Sequence, residues 1–498
     1  MASLLAVLDS LGAACDLKHD VTVRGFSLDS RKVRPGDVFL AFPGSTGDGR
    51  LFIKEALSKG AIACLIEAGG CNITPESNVP LIKVPDLKQR LGCLLSSFYQ
   101  HPSAACDLIG VTGTNGKSSV VLFLAQAIQA LQRSVGVLGT IGNGVWPRLT
   151  TGELTTLDAV ELNRWLCSFR SQSMDVVAME VSSHALSQYR VCGLQYDVAV
   201  FTGLSHDHLD YHGTMAAYAE AKFTLFDFSS LKCGVVNLDD NYAPDLLRRR
   251  DDSFWVGYTL CGRRDCSQVV SASEIQQDGS GLSFDVDSPW GSLSLRLPLF
   301  GRFNISNALA AVAVLGSLGF SIEEIQASIQ TLKPVKGRME VIETPGFPTI
   351  VVDYAHTPDA LASALSALRE HLSQKIWCVF GCGGDRDSAK RPLMATAAET
   401  LADHVIVTSD NSRGEPIDLI MKDIRAGFRC PDRVIECVDR VSAITLAIKS
   451  AGESDVILLA GRGHEVEMKS QSGPECARSD YSIVQGIITD LKTLTKEV

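Results

Sequence analysis

The residues richest in chemistry lie in the run Leu108-Ile-Gly-Val-Thr-Gly-Thr-Asn-Gly-Lys-Ser-Ser119, where glycines follow an apolar strand and a Lys-Ser pair opens a helical pattern. Such a loop points backbone N–H groups and a helix N-terminus at phosphate oxygens, while Lys117 supplies a mobile cation and Ser118 a hydroxyl for Mg²⁺. The strict GxxxxGK(S/T) spacing is missed, because Val111 stands where the first glycine belongs. Strand, loop and helix still occur in the required order. The reading is therefore nucleotide phosphate binding by Gly113, Thr114, Asn115, Gly116, Lys117, Ser118 and Ser119, rather than a plain strand-to-helix turn. A second apolar run, Val176 to Met179, ends at Glu180, a carboxylate placed to hold the nucleotide's metal directly or through water. After a third run comes Ser205-His-Asp-His-Leu-Asp-Tyr-His-Gly213, with three histidines and two aspartates in nine residues.

Four more polar motifs each follow an apolar strand candidate: Asp353, Gly381-Cys-Gly-Gly-Asp-Arg386, Asp410-Asn-Ser-Arg413 and Gly461-Arg-Gly-His-Glu465. In an open parallel sheet the carboxyl ends of the strands share one edge, and ligands bind there. These motifs are expected to converge on a crevice.

Short Val/Ile-rich runs alternate with helical patterns almost throughout, which predicts an α/β protein with parallel sheets covered by helices. Over 498 residues the chain is too long for one core and suggests three domains, at residues 1–101, 102–333 and 334–498. The first ends in a helical stretch and the His101-Pro102 breaker. The second contains strand candidates Leu108 to Thr112, Val135 to Leu138, Val176 to Met179, Val198 to Phe201 and Gly234 to Asn237, then alternating segments that suggest an antiparallel appendage, then a helix near Asn304. The third begins near Pro334.

A net charge of −11 without long basic runs argues against nucleic-acid binding but leaves room for small anions. The fifteen cysteines contain no CxxC pair and read as reduced, mostly buried small hydrophobes. The first fifteen residues lack a basic segment and are interrupted by Asp9, which favours a short amphipathic helix over a signal peptide. The uncharged run Phe303 to Ile322 opens with Asn304, Ser306 and Asn307 and reads as a buried helix rather than a membrane span. A cytoplasmic monomer without nucleic-acid or membrane partners is expected.

Taken together, the phosphate loop, Met179-Glu-Val-Ser-Ser-His184, Asp207-His-Leu-Asp-Tyr-His-Gly213, Phe303-Asn-Ile-Ser-Asn307 and Asp353-Tyr-Ala-His-Thr-Pro358 resemble the Mur ligases of peptidoglycan synthesis, in the family's order and over nearly the whole chain. The resemblance implies a small N-terminal UDP-binding domain, a central P-loop ATPase domain and a C-terminal Rossmann-like domain that brings the amino acid. It implies ATP and Mg²⁺, and an acyl phosphate formed on the D-glutamyl carboxylate of a UDP-N-acetylmuramoyl dipeptide. Lys222, in Tyr218-Ala-Glu-Ala-Lys222, matches the lysine that the family carbamylates to help bind metal; by pattern alone it is a solvated helix residue. His208, Glu180 and Ser118 match metal ligands. Thr155, Thr156, Ser182, Gln188 and Arg190 match contacts to the UDP-sugar-peptide, and Leu28, Ser30, Ser45, Thr46 and Gly47 match uridine-side contacts. Asn304, Arg338 and His356 match nucleotide contacts.

The resemblance also narrows the amine. A diamino dicarboxylic substrate such as diaminopimelate presents a distal carboxylate for an arginine fork and an ammonium for a glutamate. Arg386, Arg413 and Glu465 supply those types and match diaminopimelate-binding positions, with Asp410, Asn411, Ser412 and Gly461. Ser412 departs from the proline usual there. L-lysine is the alternative amine, and folylpolyglutamate synthase the alternative enzyme.

Overall fold

A computed structural model describes residues 2–11, 20–44, 47–69, 79–152, 154–278, 281–371, 374–470, 473–475 and 478–494. The chain divides into two compact units, one formed by Met1–Gly110, Arg133–Ala199 and Ala221–Lys232, the other by Val111–Gln132, Val200–Glu220 and Cys233–Val498. The strands Asp107–Thr112 and Val198–Phe201 pass from one unit to the other within their own length.

In the first unit a parallel sheet runs in the order Gly25–Ser27, Asp37–Ala41, Ala63–Glu67, Leu81–Val84. The strand Asp37–Ala41 is buried along its whole length, as expected for an apolar run covered on both faces. The helix Leu87–Phe98 buries Leu87, Leu91, Leu94 and Leu95, a stripe at helical spacing, against a core that includes Phe26, Val38 and Leu65. The expected N-terminal helix is present at Leu4–Ser10, capped by the Ser3 hydroxyl. Elsewhere in this unit Val135–Leu138 and Val176–Glu180 pair in parallel, and a hairpin, Asn143–Val145 with Arg148–Thr150, extends that piece antiparallel.

In the second unit Cys233–Asn237, Trp255–Thr259 and Gln268–Asp278 pair in parallel. Gly281–Ser288 and Gly291–Leu297 follow antiparallel, the appendage that alternation of apolar and polar residues foretold. Most of the uncharged run lies in the helix Arg302–Ser317, buried almost continuously from Asn304 to Gly316 and packed on the helix Lys117–Ala130; its last residue, Ile322, opens the next helix, Ile322–Ile329. Among the described residues no helix is long and apolar enough to cross a membrane. The C-terminal sheet has the order Glu340–Ile342, Thr349–Asp353, Val456–Ala460, Ile376–Phe380, His404–Val407, Ile435–Glu436, parallel except for its first strand. Its central strands carry the four polar motifs at their carboxyl ends, as expected.

Candidate functional site

The phosphate loop is shaped by its backbone. Gly113 (φ +148°) and Gly116 (φ +86°) occupy conformations that disfavour a side chain, and a β-carbon at Gly116 would lie 2.7 Å from Asn307 Oδ1. Neighbouring loop residues fasten the turn in place. The Thr202 hydroxyl donates to the Asn115 carbonyl at 2.5 Å, Ser205 N–H donates to Thr114 Oγ1 at 3.0 Å, and Thr114 Oγ1 lies 3.2 Å from Tyr218 Oη. Lys117 Nζ donates to the carbonyls of Gly113 and Thr114, both at 2.9 Å. Ser118 and Ser119 are buried at the start of the helix.

The same fastening brings the histidine-rich segment beside the loop, where Lys390 and Asp387, which motif reading missed, join Asp207, His206, His208 and His356. Asp207 is buried; Lys390 Nζ lies 3.3 Å from its Oδ1, and His208 Nε2 and His356 Nε2 lie 3.4 and 3.7 Å from its Oδ2. Burial pushes its carboxyl upward. The hydrogen bond from His356 and the charges of Lys390 and His208 outweigh that and hold it well below the usual carboxylate range. Removing one partner from such a buried pair costs on the order of 3–5 kcal/mol. His206 Nε2 meets Asp387 Oδ2 at 2.9 Å. The only early signal for Lys390 was its place, four residues after the Gly381–Arg386 motif, at the start of the helix Lys390–Leu401.

Arg338 stands beside the phosphate loop. Its Nη2 donates to Ser118 Oγ at 3.1 Å, its guanidinium lies 4.3 Å over the Tyr354 ring, and its buried Nε has no hydrogen-bond partner among the described residues. With Ser119, Phe300, Asn304 and Pro334 it lines a small recess beside the loop. Asn304 is buried, donates to the Phe300 carbonyl at 2.8 Å and accepts from Asn307 Nδ2 at 3.2 Å. His356 Nδ1 donates to the Tyr354 carbonyl at 2.8 Å.

At the carboxyl edge of the C-terminal sheet, Asn411 Nδ2 donates to Glu465 Oε2 at 2.8 Å and the Tyr354 hydroxyl donates to Glu465 Oε1 at 2.9 Å. Arg413 (φ +51°) donates from Nη1 to the carbonyls of Gly384 and Asn411, at 2.9 and 3.2 Å. Burial, then the neighbouring Arg386, pull its guanidinium downward in pKa, while Asp410 and Glu465 oppose them. Arginine nevertheless remains a cation at physiological pH. Arg386 is exposed. Asp410 is buried, accepts from the Asn411 N–H, and would crowd any β-carbon at Gly461 (φ +110°). Ser412 contributes its carbonyl to the Glu415 N–H at 3.0 Å. Arg386, Asp410, Asn411, Arg413, Gly461 and Glu465 thus share one neighbourhood, with both signs of charge.

In the first unit Glu180 is buried and accepts from Thr140 N–H at 2.8 Å and Thr140 Oγ1 at 3.2 Å. Thr155 Oγ1 lies 3.0 Å from Thr140 Oγ1, and Thr156 Oγ1 donates to the Glu180 carbonyl at 2.9 Å. Ser182 caps the helix Ser183–Ser187, accepting from Ala185 N–H. Arg190 donates from Nε to Gln188 Oε1 at 2.9 Å and from Nη1 to the Thr156 carbonyl at 3.0 Å. Lys222 is 1% exposed, against the solvated position that helical pattern alone gave it. A charge buried to that degree has to be paired and hydrogen-bonded. Ser30 donates to Glu55 Oε2 at 2.5 Å, Leu28 packs at the edge of the N-terminal core and Gly47 accepts from the Gly44 N–H at 2.7 Å. Ser45 and Thr46 lie outside the described residues.

Comparison with known proteins identifies this arrangement. Family models match residues 22–99 (Mur ligase family, catalytic domain), 111–315 (Mur ligase middle domain) and 337–463 (Mur ligase, glutamate ligase domain). The UDP-N-acetylmuramoyl-L-alanyl-D-glutamate--2,6-diaminopimelate ligase of Coxiella burnetii is 46% identical over 93% of this chain and 94% of its own. The enzyme of that name from Pseudomonas aeruginosa is 47% identical over 90% of this chain and 91% of its own. A solved structure of a ligase of the same name has a TM-score of 0.67 at 35% identity, covering 98% of this chain and 99% of that one.

Proposed function

The chain belongs to the Mur ligase family, with its three-domain α/β fold, and from that premise we propose that it is the ATP-dependent ligase joining meso-2,6-diaminopimelate to the D-glutamyl carboxylate of UDP-N-acetylmuramoyl-L-alanyl-D-glutamate. The observation that carries the choice of amine is the grouping of Arg413, Asn411 and Glu465 at one sheet edge, a cationic fork beside a carboxylate. A substrate with a distal carboxylate and ammonium matches both. L-lysine would leave the fork without an anion.

A carboxylate resists attack because oxide cannot leave. ATP transfers its γ-phosphoryl group to that oxygen, releasing ADP; the amine nitrogen then attacks the acyl phosphate, and phosphate departs from the tetrahedral intermediate as the amide forms. The protein's part is to position reactants and neutralise charge, and orientation alone supplies roughly 7–11 kcal/mol. Gly113, Thr114, Asn115, Gly116, Lys117 and Ser119 bind the phosphates, with Asn304, Arg338 and His356 on the nucleotide. Residues 1–101 hold the UDP end through Leu28, Ser30, Ser45, Thr46 and Gly47. Thr155, Thr156, Ser182, Gln188 and Arg190 hold the sugar-peptide within residues 102–333, and residues 334–498 bring the amino acid.

Mg²⁺ suits the donors available, because the Ser118 hydroxyl and Glu180 carboxylate are hard oxygens. Among the described residues no group of three or more His, Cys, Asp or Glu forms a ready cage, in keeping with an ion that retains waters and substrate phosphates. Ser118, Glu180, His208 and Lys222 as its carbamate would hold it, and when bound it neutralises developing phosphate charge.

The test is ADP release measured with the UDP-linked dipeptide and diaminopimelate together and with each omitted. Turnover should require both. Equal turnover with L-lysine would sink the amine assignment, and folate-dependent turnover would sink the reaction.

A further inference from the structure

Outside this machinery the first unit holds a pair of thiols that no substrate assignment uses. Cys93 lies on the helix Leu87–Phe98, and Cys192 sits in the turn after Arg190. Two glycines let these backbones approach. A β-carbon at Gly92 would collide with the Cys192 carbonyl and lie 2.9 Å from Cys192 Cβ, and one at Gly193 (φ +79°) would lie 2.7 Å from Cys93 Cα. The two side chains therefore stand side by side. Both cysteines line a pocket of about 530 Å³, with His101, Gln195, Asp227 and Phe228, within the ~300–1,000 Å³ range of small-molecule sites.

The two sulfurs are not equivalent. Cys93 is exposed and Cys192 only partly so. The Cys192 thiol beside it draws Cys93 downward in pKa, against burial, while Cys93 and burial push Cys192 upward. By contrast, burial holds Cys64, Cys378 and Cys382 at about 12. One accessible thiol beside a less exposed partner is the arrangement of an attacking and a resolving cysteine.

We propose that Cys93 and Cys192 form a thiol–disulfide exchange site, which reacts with small disulfides of the glutathione class and closes to an intramolecular disulfide. The Cys93 thiolate attacks one sulfur of the small disulfide, whose S–S bond breaks as one thiolate leaves and takes up a proton. Cys192 then gives up its proton and displaces the second small thiol from Cys93. The two protein thiols lose two electrons and two protons, and the small disulfide is reduced to two thiols. Closure ties the helix Leu87–Phe98 to the turn that follows Arg190.

The test treats the full chain with oxidised glutathione at neutral pH, blocks remaining thiols, digests and identifies linked peptides by mass. A Cys93–Cys192 link is expected as the main product, with Cys192→Ser retaining glutathione on Cys93 and Cys93→Ser leaving Cys192 largely unmodified. Iodoacetamide at neutral pH should label Cys93 on the order of tenfold faster than the exposed Cys430. Glutathione on Cys261 and Cys430 without the Cys93–Cys192 link would overturn the proposal, as would labelling of Cys93 no faster than Cys430. The link is read on the unaltered chain, so the outcome does not depend on how the serine variants fold.

Discussion

The phosphate loop and the loop at Asp410–Arg413 serve the same proposed reaction by opposite means. The first is built from backbone: glycines at +148° and +86°, a helix start, and carbonyls that already engage Lys117. The second is built from side chains, with Arg413 braced by two carbonyls and Glu465 held by Asn411 and Tyr354. On the proposed assignment, backbone would recognise what every nucleotide shares, whereas side chains would choose among amines. One region should therefore tolerate no chemical change, and the other should tolerate change at the cost of selectivity.

The largest effect tests the first half of that contrast. Lys117→Ala should lower kcat by on the order of 10²–10³-fold with every amine tried, since charge stabilisation of the transferred phosphoryl group is lost. A loss confined to diaminopimelate would break the comparison. Arg413→Ala should raise the KM for diaminopimelate by on the order of 10- to 100-fold, the range for losing charge-assisted hydrogen bonds, while the KM for ATP stays put. Unchanged diaminopimelate kinetics would remove the case for a side-chain-built amine site. The smallest effect is expected from Ser412→Pro. A proline compatible with the loop reduces unfolded-chain freedom by about 0.4–1 kcal/mol, and the same stiffening should change the diaminopimelate KM by no more than about 2- to 5-fold. A larger change would mean that the loop moves when it binds.

That contrast also explains what could be read in advance. The phosphate loop is legible because its requirements are local, a few residues of fixed spacing between strand and helix. The antiparallel strands of residues 268–297 were legible for the same reason, their alternation being visible residue by residue. Lys390 was not, because its partner Asp207 stands far away in the chain and only the packed fold brings the charges to 3.3 Å. Lys222 escaped pattern reading as well: a lysine in a short helix looks solvated until neighbouring elements bury it. Cys93 and Cys192 were grouped with inert core thiols, since their approach depends on Gly92 and Gly193 from two distant segments.

Tyr354 stands at a junction between the two regions. Its ring carries Arg338, which reaches the phosphate-loop serine, and its hydroxyl holds Glu465 on the amine side. If the proposed roles hold, a lineage drifting toward a different amino acid could not reshape that tyrosine without also disturbing Arg338 and its contact with Ser118. On the proposed assignments, change in amine preference is thereby steered toward positions that serve only one substrate, and Ser412, next in the chain to Arg413, is a candidate place for such drift to begin.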